Sequence, residues 1–129
     1  MKRDMELIRK ILFAIEEQYK PGEGVLRGLN IEGYDMRTVA EHCDLLYQRG
    51  FIKSYKYKEV SGADTIRYFI VGNLSSSGYD YLELIRNDEV WKKTTVEIEK
   101  KQLPWTFEAI AKIAGIFVGN VISQMSGLP

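Results

Sequence analysis

Between Asp4 and Lys20 the apolar residues fall at Leu7, Ile8, Ile11, Leu12, Ile15 and Tyr19, with Glu6, Arg9, Lys10, Glu16 and Glu17 between them. That spacing is one face of an amphipathic helix. Asp4 stands where a capping carboxylate would accept from the first free backbone N–H groups. Pro21-Gly22-Glu23-Gly24 ends the helix, because proline cannot donate into it and glycine frees the turn. Val25 to Ile31 follows with Val25, Leu29 and Ile31 on one parity, which predicts a short strand.

A second helix is predicted over 36–49. Its stripe is Met36, Val39, Ala40, Cys43, Leu46 and Tyr47, its cap is Asp35 and its stop is Gly50. Phe51 to Glu59 and Thr65 to Val71 are rich in aromatic and β-branched residues and flank Ser61-Gly62-Ala63-Asp64, a hairpin tip. After Leu74, any of Ser75, Ser76 and Ser77 can cap a helix through Tyr79, Leu82 and Ile85. Trp91, Thr94, Thr95 and Ile98 continue a helical stripe until Pro104, and Trp105 or Thr106 opens a last helix to about Met125.

The resulting class is α+β: helix, short strand, helix, two-stranded β-hairpin wing, then C-terminal helices. This is the order of a winged-helix-like domain, expected over 1–88. A C-terminal helical extension over 89–129 would pack on that domain or across a dimer.

Composition narrows the function classes. Eighteen basic residues balance eighteen acidic ones, so no global field draws the chain to nucleic acid or membrane. The lone Cys43 excludes an intramolecular disulfide and fits a cytoplasmic setting. The charged start has no uninterrupted apolar core of the kind a secretory signal needs.

A winged helix lays one helix in the major groove and touches the flanking backbone with its hairpin. Here Arg37, Thr38 and His42 would approach the groove, and Lys53, Lys56, Lys58 and Arg67 the phosphates of double-stranded DNA. Strand parity puts Lys56 and Lys58 on one face and Tyr55 and Tyr57 on the other. Glu41 and Asp44, on the outward face of the helix, would repel phosphate. The supporting helix of a complete helix-turn-helix is missing, since only Leu29 to Asp35 is available and reads as strand plus turn. The same lysines would equally solvate a sheet edge. Two readings therefore stand: a DNA-associated regulator or accessory factor, and a protein–protein interaction or dimerisation module of winged-helix shape.

Catalytic chemistry is not suggested. His42 and Cys43 are adjacent, so they diverge on a helix, and no second His or Cys can complete a metal site. No phosphate-cradling glycine loop, nucleophile elbow or His-Glu-x-x-His is present. The expectation is a non-enzyme with no cofactor, metal or small-molecule substrate.

From Ala109 to Ile122 only Lys112 and Asn120 are strongly polar, so the last helix must be covered on more than one side. A homodimer through Ile110, Gly115, Phe117, Val118, Gly119 and Ile122 is one solution, with the glycine pair permitting close approach. Burial against its own domain and membrane contact are the others. A membrane span is disfavoured by the length of the apolar run.

The opening Met1-Lys-Arg-Asp-Met-Glu-Leu-Ile-Arg-Lys-Ile-Leu12, the pair Leu45-Leu46 with Gly50-Phe-Ile52, and Leu74-Ser75 followed by Gly78-x-Asp80-Tyr-Leu82 and Ile85-Arg-Asn-Asp88-x-x-Trp91 resemble the blocks of domain of unknown function 2513. The resemblance covers most of residues 1–118 and implies a winged-helix-like fold and a phage or prophage association. It brings no established activity and no catalytic residues. The chain departs from the family pattern at Cys43 and Asp44, where a leucine and a basic residue are common.

Overall fold

The computed structural model describes residues 1–60 and 66–126; the hairpin tip Ser61-Gly62-Ala63-Asp64 lies outside them. The chain forms α1 (Met5–Gln18), α2 (Met36–Gln48), β1 (Tyr55–Val60), β2 (Ile66–Val71), α3 (Ser76–Ile85), α4 (Asp88–Lys100) and α5 (Phe107–Ser126). It is a mixed α+β protein whose strands pair as one antiparallel hairpin. Two compact units divide between Tyr79 and Asp80, within α3.

In the first unit α1 buries Leu7, Ile8, Ile11, Leu12 and Ile15, the residues its periodicity singled out. Asp4 caps it, its carboxylate accepting from the N–H groups of Glu6 and Leu7 at 3.0 and 3.1 Å. α1 packs on α2, and α2 packs on both strands. From α2, Val39, Ala40, Cys43 and Leu46 enter the core, where Phe69 and Val71 of β2 meet them. Met36 and Tyr47, expected on the stripe, are instead exposed at the two ends of the helix.

The hairpin register pairs Tyr55 with Val71, Tyr57 with Phe69 and Glu59 with Arg67. Pairing persists before β1, where Lys53 N–H donates to the Asn73 carbonyl, Gly72 N–H donates to the Ser54 carbonyl, and Ile52 bridges Leu74.

The strand expected over Val25 to Ile31 does not form. Only Leu26 pairs, exchanging both backbone hydrogen bonds with Val71 at 2.7 and 3.0 Å. Gly24 and Gly28 flank it with φ of 80° and 91°, in the left-handed region, which stops extended backbone on either side. The result is one bridge on the free edge of β2.

α3 opens on Ser75, whose Oγ accepts from Gly78 N–H at 3.0 Å and donates to the Gly50 carbonyl. Ser75 N–H donates to the Phe51 carbonyl, so the start of α3 is tied to the end of α2. The approach is so close that a Cβ on Gly78 would lie 2.0 Å from the Phe51 carbonyl oxygen.

The second unit contains the α4–α5 pair. Asn87 caps α4 and Thr106 caps α5, accepting from Val90 and Ala109 N–H respectively. Tyr81, Leu82, Ile85, Val90, Trp91, Ile98, Phe107, Ile110 and Ala114 are its buried apolar residues. Tyr81 and Phe107 meet edge to face with centroids 5.5 Å apart.

Candidate functional site

Two surfaces hold the residues that the sequence singled out. The first is the α2–hairpin face. Ala40 and the exposed Arg37 and Glu41 of α2 stand opposite Tyr55, Tyr57 and Glu59 of β1, and together they line a groove of about 190 Å³. Arg67, expected to reach phosphate, makes an ion pair with Glu59 at 3.3 Å. That pairing follows from the register, which sets the two side by side on neighbouring strands. Asp44 is half-buried and accepts from the Gln48 amide at 3.0 Å. Burial pushes the Tyr55 phenol up to about 12, and the nearby acidic groups Asp44 and Glu41 add to the rise. This face thus brings Glu41, Asp44 and Glu59 together with Arg37 and Arg67.

Thr38 and His42 are used inside the fold. The Asp35 carboxylate accepts from Thr38 N–H at 2.8 Å, and that bond holds the Asp35 carboxyl below its ordinary pKa. His42 is fully buried. Its Nδ1 lies 2.8 Å from the Thr38 carbonyl, which can only accept, and its Nε2 accepts from Asp4 N–H at 2.9 Å. The ring is thus the neutral Nδ1–H tautomer with both nitrogens occupied. His42 was expected to approach a nucleic acid from the helix margin; the structure places it instead between α2 and the start of α1. The Tyr34 hydroxyl donates to the second Asp4 oxygen at 2.9 Å, and the Lys10 ammonium sits 5.6 Å above the Tyr34 ring. Partial burial, followed by that bond to Asp4, raises the Tyr34 pKa.

The sequence pattern does not join Asp4 to His42 or Tyr34 to Asp4. Only the capping role of Asp4 was readable, because a contact spanning 38 residues has no periodic trace.

The outer hairpin face carries Lys56 and Lys58 opposite Ile70 and Tyr68. Lys53 and Lys56 are exposed and Lys58 is half-exposed. Among the described residues, no carboxylate forms an ion pair with these three lysines. Cys43 is buried, and burial pushes its thiol up to about 12, far from the thiolate a nucleophile needs. No group of three or more His, Cys, Asp or Glu residues is arranged to hold a metal ion among the described residues.

The second surface is the C-terminal half of α5. Ile110 is fully buried within the second unit, which removes it from any dimer face. Phe117 and Val118 are half-buried, while Gly119 and Ile122 are exposed. Nothing lies within 4 Å of a Cβ built on Gly115 or Gly119. Sequence reasoning missed Ile116, Val121 and Met125, all exposed. The signal was the spacing Phe107, Ile110, Ala114, Val118, Val121, Met125, which continues the buried stripe past the residues that are covered. Among the described residues, no helix is long and apolar enough to cross a membrane.

Comparison with known proteins adds kinship without an activity. No solved structure matches the chain. An uncharacterized protein of Haemophilus influenzae is 34% identical over 125 residues, covering 97% of this chain and 98% of the relative. The family model described as a hypothetical protein, domain of unknown function 2513, matches residues 2–104, from the start of the chain to the loop before α5. The chain belongs to that family.

Proposed function

We propose that this chain is a protein-interaction module of winged-helix shape, whose α2–hairpin groove receives a partner polypeptide and not DNA. The winged-helix assignment is supported by element order. α1, the Leu26 bridge on β2, α2 and the hairpin occur in the winged-helix sequence, with the bridge in the place of the third, edge strand. A turn closed by Tyr34 N–H on the Ile31 carbonyl occupies the place of the supporting helix.

The observation that carries the functional reading is the charge of the groove. Duplex DNA laid on α2 would set phosphates against Glu41 and the nearby Asp44 as well as Arg37, while Arg67 is already paired with Glu59. A polypeptide suits the same surface better. Tyr55 and Tyr57 offer wide, partly apolar contact, and the carboxylates accept backbone or side-chain N–H groups.

A photo-crosslinking residue in place of Tyr57 tests this in cells. The expected adduct is a polypeptide, sensitive to protease and resistant to nuclease. A nuclease-sensitive adduct would overturn the reading.

A second reading rests on Lys53, Lys56 and Lys58, whose charges carry no ion-paired carboxylate among the described residues. It predicts duplex binding that weakens steeply with salt and is lost in the double variant Lys56→Glu, Lys58→Glu. Fluorescence anisotropy with mixed-sequence duplex at low salt decides between the two. Absence of binding supports the interaction module.

A further inference from the structure

α4 has 13 residues and α5 has 20. The loop of residues 101–106 between them is short, which turns the two helices back on each other. Val90 and Lys93, near the start of α4, accordingly line a groove together with Phe117, Val118 and Val121 of α5. At 1.5 Å per residue, α5 outruns α4 by roughly 10 Å. Along that overhang the stripe that holds Phe107, Ile110 and Ala114 in the core continues to Val121 and Met125, which are 49% and 65% exposed.

We infer that the overhang of α5 is the docking site for a second copy of this chain, each overhang lying in the other copy's α4–α5 groove. Three observations support this occupant. The first is area. Val121, Ile122 and Met125, on adjoining faces of the overhang, are 49%, 59% and 65% exposed. Together they present roughly 350 Å², against the roughly 800 Å² per partner of a standard interface. The groove, of about 610 Å³, has Phe117, Val118 and Val90 in its walls to supply much of the remainder.

The second is charge. From Ile113 to Met125 the helix carries no ionisable side chain, so an overhang meets no like charge from Glu83, Glu89 or Lys93, which help line the groove it would enter. A membrane surface would call for basic residues along such a helix, and this segment has none. The third is symmetry. A two-fold pairing needs one patch that is both projection and receptacle, and here the projecting helix end forms one wall of the groove it would fill in its partner.

This interface differs from the one the glycine spacing suggests. Val121 and Met125 follow the buried stripe, whereas Gly115 and Gly119 lie to one side of it. Light scattering on the full chain separates the possibilities independently of the α2 face. The expected mass is twice 14.9 kDa at micromolar concentration, falling to the monomer in the double variant Val121→Asp, Met125→Glu. Both positions are exposed, so the variant should keep the wild-type helical circular dichroism. The double variant Gly115→Ala, Gly119→Ala should remain dimeric. A monomeric wild type, a dimer that survives Val121→Asp with Met125→Glu, or a dimer abolished by the alanine pair would each overturn the proposal. So would co-sedimentation of a monomer with anionic vesicles of phosphatidylcholine and phosphatidylglycerol.

Discussion

Where α1 meets α2, Asp4, Tyr34, His42 and the Thr38 carbonyl answer one another. Asp4 caps α1, accepts from Tyr34 and donates its N–H to His42, which in turn donates to Thr38. At the far end of α5 the opposite holds, because an apolar stripe runs off the end of the helix that covers it. The α1–α2 junction thus fixes the shape of the first unit with groups that are already bonded to one another, and leaves the α2–hairpin groove as the surface of that unit open to a partner. The second leaves apolar residues of its helix stripe in solvent, a different kind of surface from the polar groove of the first. Residues that look reactive in a sequence, a lone histidine above all, can be the ones most fully occupied by the fold.

Breaking the polar junction should have the largest effect. His42→Ala leaves Asp4 N–H without its acceptor and opens a void between α1 and α2, so it should cost about 3 kcal/mol, read from the urea midpoint. Nitrogen-15 NMR of the wild type should show a protonated Nδ1 and an unprotonated Nε2. A surface-like loss of under about 0.5 kcal/mol would mean that the junction contributes nothing to the fold.

Next is Gly78→Ala. An alanine in a helix ordinarily stabilises, but here its Cβ would meet the Phe51 carbonyl oxygen at 2.0 Å. The clash is with backbone, so a loss of about 2–3 kcal/mol is expected from overpacking. Gly115→Ala is the counterpart in α5. With nothing within 4 Å, it should gain about 0.5–1 kcal/mol. Equal effects at the two glycines would erase the contrast between a closed unit and an open one.

How much of this was legible in the sequence depended on the range of the interaction. The stripe of α1, the caps Asp4 and Asp35 and the stop at Gly50 are local, and they read correctly from spacing and side-chain chemistry. The strand expected over Val25 to Ile31 failed because parity says nothing about the positive φ of Gly24 and Gly28. The Glu59–Arg67 pair required a register that a shift of one residue would change. His42 required knowledge of a partner 38 residues away. The exposed end of α5 was half legible. Its apolar character was plain, but which residues face outward depends on where α4 starts.

Alkaline pH sharpens the picture of the α2 face. Tyr55 has its phenol raised from 10.0 to about 12 by burial first, with Asp44 and Glu41 adding to it. The folded state keeps that proton where the unfolded chain would release it. Its contribution to stability is therefore complete below pH 10 and is lost as pH rises towards 12. Cys43, raised from 9.0 to about 12, acts in the same direction. Comparison with Tyr55→Phe isolates the tyrosine: the variant should lose stability less steeply across this window, and one late phenolate should vanish from the ultraviolet titration. An unchanged slope would mean that neither burial nor the acidic groups hold the Tyr55 proton in the folded state.

The smallest effect tests the second unit. Thr94 is fully buried in α4, and its hydroxyl has no hydrogen-bond partner among the described residues, so folding strips it of water without replacement. Valine has nearly the same shape and helix propensity. Thr94→Val should therefore raise stability by about 1 kcal/mol, measured by the shift in thermal midpoint. A loss of similar size would show that the hydroxyl is answered after all, by a helix carbonyl one turn back. Thr94 would then no longer set the interior of the second unit apart from the first, and the contrast between them would rest on the overhang of α5.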